Sequence, residues 1–209
     1  MRIFNISGAG VLETPTPPTQ LPEQGYVWIA CGRREFEALQ AQIQATLQAL
    51  CGTQLVDLHI SDLLNHQLPS HYDYTSQYDV LVFRRLSAGQ HEADPAHTSQ
   101  PGPAPGAPAK RSGPPILRRI DTSPVGFAVF DHVLLTVHPA DCAIRDAYAA
   151  KLLGGASLEA RGAGARLPTS PADLMLRIVA QMVDGYLDLR RELTRQLDHW
   201  QVELLAPHT

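Results

Sequence analysis

Nothing in this 209-residue chain offers an apolar run of about 18 residues, the least a helix needs to cross a bilayer. Its opening, MRIFNISGAG, lacks the basic start, long apolar stretch and small-residue cleavage site of a secretory signal. Together these absences lead to the expectation of a soluble, intracellular chain. Cysteine is scarce as well. Cys31, Cys51 and Cys142 are scattered, odd in number and without any CxxC spacing, so neither a disulfide framework nor a zinc or thiol-exchange motif is present. There is no excess of positive charge. With 17 Lys and Arg against 21 Asp and Glu, the net charge of -4 gives no long-range attraction to nucleic acid or anionic lipid. Phosphate loops, GxSxG elbows and HExxH helices are absent too, and Gly8-Ala9-Gly10 is too short to cradle a phosphate. Most enzyme classes lose their usual signatures.

What the chain does have is a run of alternating strand and helix signals, interrupted by proline. Residues 2–6 read as an edge-like strand ended by Gly8 and Gly10. Residues 13–25 carry four prolines and read as a surface loop. YVWIAC, 26–31, is nearly all apolar and reads as a buried strand. Phe36, Leu39, Ile43, Leu47 and Leu50 recur at helical spacing, with Gly52 placed to stop the helix. Residues 55–59 read as a further strand, and Ser61 as the cap of a short helix through Leu63 and Leu64. Residues 79–85, 116–120, 126–130 and 133–137 read as strands, the last two joined by a hairpin at Asp131-His132. Between them, residues 87–115 hold seven prolines, four glycines and six alanines and no apolar β-branched residue, which predicts a disordered insertion. Too little chain lies on either side for two cores, so the insertion is expected within one sheet. A helix over 141–153 should break at Gly154-Gly155.

The last element is the most strongly patterned. Ser170 is placed as N-cap, Pro171 as the first helical residue, and Asp173 can return a bond to the cap backbone. Met175, Val179, Met182, Tyr186, Leu189, Leu193, Leu197, Trp200 and Leu204 then follow in steps of three and four, with Leu174, Ile178 and Val183 widening the face at the start. Beyond Leu189 the stripe narrows between charged flanks. A narrow seam of Leu189, Leu193, Leu197, Trp200 and Leu204 calls for a partner helix.

Chemistry-bearing residues are thinly spread. His59, His66 and His71 lie near Asp57, Asp62 and Asp73, but polar loop and edge positions account for them better than a transition-metal site does. His138, ahead of Pro139, reads as a surface or supporting group, and Cys31 as core. Arg84-Arg85 and Arg118-Arg119 read as solvated strand ends.

Two stretches, SDLLNHQLPSHYDYTSQYDVLVFRRL and PADLMLRIVAQMVDGYLDLRRELTRQLDHWQ, resemble the CorA-type magnesium transporters. Asp62, Pro69, Tyr78, Phe83 and Leu135-Thr136-Val137-His138 occupy matching positions, and with YVWIA they span the chain apart from 87–115. The sequence departs from the pattern at Ser61, Leu68, Ser70-His71 and Gly185, and lacks the Gly-Met-Asn pore signature and both membrane helices. The resemblance implies an α/β fold, a mixed sheet flanked by helices and ending in a long amphipathic helix. An α/β domain over 1–170 would be followed by the first long helix, 171–209, cut before its return helix, stalk and membrane spans. It further implies the cytoplasmic metal-sensing and gating region of a homopentameric inner-membrane channel for Mg2+, with Zn2+ or Co2+ transport as the alternative. The metal would be regulatory, bridging carboxylates of neighbouring subunits. By position Asp184 is the candidate ligand, with Asp188 one turn on; a plain helix-surface role stays open for both. Asp173 reads as a cap and Asp62 as structural, while Glu92 and Asp94 are weak candidates. The rivals are a soluble interaction scaffold and a metalloenzyme built on the histidines. Alone, the chain is expected to associate through its terminal helix as a dimer, not as the pentamer.

Overall fold

The computed structural model describes residues 1–87, 120–155 and 166–206. The chain opens with a hairpin of β1 (Arg2–Ser7) and β2 (Gly10–Thr14), in which Ser7 pairs with Gly10. Gly8 and Gly10 therefore turn the chain back on itself, and β2 takes Glu13 and Thr14 from the loop expected over 13–25. β3 (Tyr26–Gly32) pairs antiparallel with β1. Gly25, just before it, has φ +91°, and a Cβ there would lie 2.0 Å from the Ile6 carbonyl oxygen. Only glycine lets the loop close on β1.

Three helices follow: α1 (Arg33–Ala38), α2 (Gln40–Cys51) and α3 (Asp57–Leu64). Gly52 ends α2 in the left-handed conformation, its N–H donating to the Gln48 carbonyl at 3.0 Å. The strand expected over 55–59 is instead the start of α3, and Ser61 lies inside that helix, not at its cap. His59, Ile60 and Leu63 then fall on one side of a helix and are buried together.

β4 (His71–Tyr74), β5 (Asp79–Leu86), β6 (Thr122–Val129) and β7 (Val133–His138) complete a seven-stranded sheet in the order β2-β1-β3-β7-β6-β5-β4. β3 and β7 run parallel and all other pairs antiparallel, so the sheet is mixed. β5 and β6 flank the proline-rich stretch and pair along their length, which carries one sheet across it. The stretch from residue 88 on, with Glu92 and Asp94, and the strand expected at 116–120 save Ile120, with Arg118 and Arg119, lie outside the described residues.

Helices cover both faces. Val27, Ile29, Cys31, Val133, Leu135 and Val137 pack with Phe36, Ile43, Leu47, Ile60 and Leu63 on one side. Trp28, Ala30, Phe127 and Leu134 pack on the other side against α4 (Ala143–Gly155) and the start of α5 (Pro171–Leu205). Burial on both faces explains why β3 and β7 are mostly apolar, Thr136 and His138 being the polar exceptions in β7. Gly154 and Gly155 form the last turn of α4 instead of breaking it.

Candidate functional site

The start of α5 is fixed by its cap. Ser170 is extended, and its Oγ accepts the Asp173 N–H at 3.1 Å, with Pro171 at the first helical position. The Asp173 carboxylate does not return to the cap backbone. It accepts the Thr169 N–H at 3.0 Å and the Arg177 Nε–H at 3.1 Å. The Thr169 amide and the Arg177 guanidinium hold its carboxyl below the usual range. Asp173 is thus committed to anchoring the helix start.

From there α5 crosses the sheet. Leu174, Ile178 and Met182 form the deepest line, so Leu174 and Ile178, read as the margin of the stripe, lie at its centre beside Met182. Val183, read with them, is 39% exposed. The Tyr186 hydroxyl donates to the Arg84 carbonyl at 2.5 Å. Past this point the seam opens. Leu189, Leu193 and Trp200 are half-buried, while Leu197 and Leu204 are 60% and 81% exposed.

Asp184 and Asp188 both lie on the exposed part of α5, one helical turn apart. Asp188 accepts from Arg191 at 3.1 Å in an exposed pair, which is worth little in water. Two carboxylates one turn apart supply oxygen donors suited to a hydrated hard cation, but not a complete ligand set. Among the described residues no three His, Cys, Asp or Glu side chains gather as metal ligands. Also among the described residues, no helix is long and apolar enough to cross a membrane.

The histidine group is drawn into hydrogen bonds of its own. Val56 N–H donates to the Tyr78 hydroxyl at 2.9 Å, and that hydroxyl lies 2.8 Å from His59 Nδ1. His59 Nε2 lies 2.9 Å from the Asp73 carboxylate. With Val56 already donating, the tyrosine donates to Nδ1 and Nε2–H donates to Asp73, so one tautomer satisfies the chain of bonds. His59 is 2% exposed and is no loop or edge residue: it ties α3 to the β4–β5 hairpin. His71 pairs with Asp62 at 3.5 Å and strengthens the same junction.

Two further readings are corrected by burial. Arg85 is 3% exposed and paired with Asp141. Arg84 donates to the carbonyls of Leu68 and Thr122 at 2.9 and 2.6 Å, clamping the loop before β4 onto β6. Neither is a solvated strand end. His138 is 1% exposed, with Nε2 2.8 Å from Thr136 Oγ1, which also accepts the Trp28 indole N–H at 2.9 Å. Burial pushes its imidazole down to about 3. Cys31 is fully buried, and burial raises its thiol to about 12, which leaves it inert as a nucleophile.

A mixed seven-stranded sheet between helical layers, with one long helix leaving it, is the architecture of CorA-type soluble domains. Among solved structures the chain is similar to the full-length CmaX protein, with TM-score 0.64 and 14% identity over 100% of this chain and 52% of that one. It is similar to the complete CorA magnesium transporter from Methanocaldococcus jannaschii, with TM-score 0.60 and 12% identity over 100% and 52%. The ZntB cytoplasmic domain from Vibrio parahaemolyticus matches with TM-score 0.53 and 15% identity over 94% and 64%. At such identities the likeness is one of fold. By sequence, no family model and no curated protein matches. The chain spans between 52% and 64% of the length of these solved chains.

Proposed function

We propose that this chain is the cation-responsive soluble region of a CorA-like divalent-cation transporter. The reading rests on the likeness in fold, long helix included, to the complete CorA magnesium transporter over 100% of the chain. In this reading the protein is a homopentamer in the inner membrane, with residues 1–170 as its cytoplasmic α/β domain. Residues 171–209 are the first helix of a helical subdomain, and a returning helix covers Leu189, Leu193, Leu197, Trp200 and Leu204. Asp184 and Asp188 face a neighbouring protomer, whose carboxylates complete an oxygen-rich site for a hydrated Mg2+. Filled sites hold the protomers together; empty ones let them separate. Oxygen donors favour Mg2+ over Zn2+ or Co2+, which would be better served by nitrogen and sulfur ligands.

The test is flux through the parent transporter in liposomes. Mg2+ should enter and be restrained by Mg2+ on the face bearing this domain. The double variant Asp184→Asn, Asp188→Asn should keep the flux and lose the restraint. Absence of divalent-cation flux sinks the transporter reading; flux with unchanged restraint sinks only the ligand assignment. For this chain by itself, light scattering after size exclusion should report a concentration-dependent dimer through α5, indifferent to Mg2+. A pentamer would contradict that expectation.

A further inference from the structure

Gly185 stands where α5 changes character. It lies on the helix side that carries Leu174, Ile178 and Met182, the side turned to the sheet. A glycine there is usually explained by close packing, which leaves no room for a side chain. Nothing described in this chain supplies that packing. Among the described residues, and apart from its chain neighbours and the helix's own backbone, no heavy atom lies within 4 Å of where a Gly185 Cβ would sit. Alanine would fit, and it propagates a helix better than glycine does.

The surroundings mark the same point. Met182, three residues before, is the last deeply buried side chain of α5. Tyr186, immediately after, bonds to the Arg84 carbonyl. Arg84 is itself held: its N–H donates to Ser70 Oγ at 3.0 Å, and its guanidinium clamps Leu68 and Thr122. Tyr186 is therefore moored to β5 at a residue held from both sides. Farther along, the pairs Asp188–Arg191, Glu192–Arg195 and His199–Glu203 run along the helix and not to the sheet.

We propose that Gly185 is a hinge in α5, latched by the Tyr186–Arg84 hydrogen bond, about which residues 187–205 swing relative to the sheet. A glycine loosens the helix where the sheet stops supporting it, and the tyrosine limits the swing while its bond holds. The inference stands on the geometry of this chain alone, whatever cation or partner the helix serves.

Double electron–electron resonance on the full chain tests it, in a Cys51→Ser background with the buried Cys31 and Cys142 retained. One label pair, Asp131→Cys with Ala172→Cys, reports the supported half; the other, Asp131→Cys with Thr194→Cys, reports the far half. The first should give a narrow distance distribution and the second a broad one. Gly185→Ala should narrow the second, and Tyr186→Phe should broaden it, neither touching the first. Hydrogen exchange at amides 186–189, whose helical bonds span Gly185, should slow about fivefold in Gly185→Ala, as expected from the propensity difference. A far-half distribution as narrow as the near-half one in the unmodified chain overturns the hinge. So does a Gly185→Ala variant with unchanged width and exchange. Unchanged width in Tyr186→Phe overturns the latch.

Discussion

Residues 171–186 and 187–205 of α5 carry the same three- and four-residue apolar spacing, yet their surroundings differ. Leu174, Ile178 and Met182 are sealed against the sheet, whereas Leu197, Val202, Leu204 and Leu205 are each at least 60% exposed. Periodicity identifies the residues that form a stripe. Whether the stripe is covered depends on what lies beneath it, which periodicity does not report.

The largest expected contrast comes from truncating one aliphatic in each half. Ile178→Ala should cost about 2–5 kcal/mol, since it empties a fully buried position. Leu204→Ala in dilute, unassociated protein should stay within about 0.5 kcal/mol. Urea unfolding of both variants measures the difference, and equal costs would mean that the far half is already covered.

Acid probes the side of the sheet beneath α4 and α5 through His138. His138 lies on the α4 and α5 side of the sheet, among Arg145 and Asp146 of α4, Arg85 of β5 and Asp141. Below its ordinary value of 6.5, the unfolded chain takes up a proton that the buried imidazole refuses until about 3. Stability is therefore intact above 6.5 and falls as the pH drops, by up to about 1.4 kcal/mol per unit from this group. The slope of urea midpoint against pH should flatten in His138→Leu over that window. An unchanged slope would assign the acid limb to carboxylates instead.

A third contrast sets two glycines against each other. Gly25→Ala forces a Cβ into the Ile6 carbonyl and should be strongly destabilising. Gly185→Ala meets open space and should stabilise α5 by about 1 kcal/mol. Thermal unfolding gives both signs. The smallest effect is that of salt. Raising ionic strength should weaken the exposed ion pairs of the far half, read as a slight loss of helical circular dichroism.

Much of the fold was legible because its signals are local. β3, β5 and β7 are dense in apolar residues, Gly52 stops α2, and Ser170-Pro171 starts α5. What escaped depends on contacts remote in sequence. β4 alternates polar and aromatic residues after a proline, and becomes a strand because β5 offers it a partner. His59, Arg85 and His138 look like surface groups in sequence; Tyr78 and Asp141 meet the first two from separate elements, and His138 lies buried among Arg85, Arg145 and Asp146. The candidate ligands Asp184 and Asp188 were read from a resemblance in sequence. The structure places both on the exposed side of α5, with Asp188 paired to Arg191.

The parallel pairing of β3 with β7 has a consequence for synthesis on the ribosome. Val27 meets Val133 across roughly a hundred residues of intervening chain, the kind of distant pairing that slows folding. Until β7 leaves the exit tunnel, β1, β2 and β3 present an open apolar edge at Val27, Ile29 and Cys31, and the helices already made have half a sheet to rest on. Nascent chains ending before Val133 should therefore be digested readily by protease and bind chaperones, and those with β7 fully emerged should resist. The centre of the sheet closes late, and the order of translation sets when.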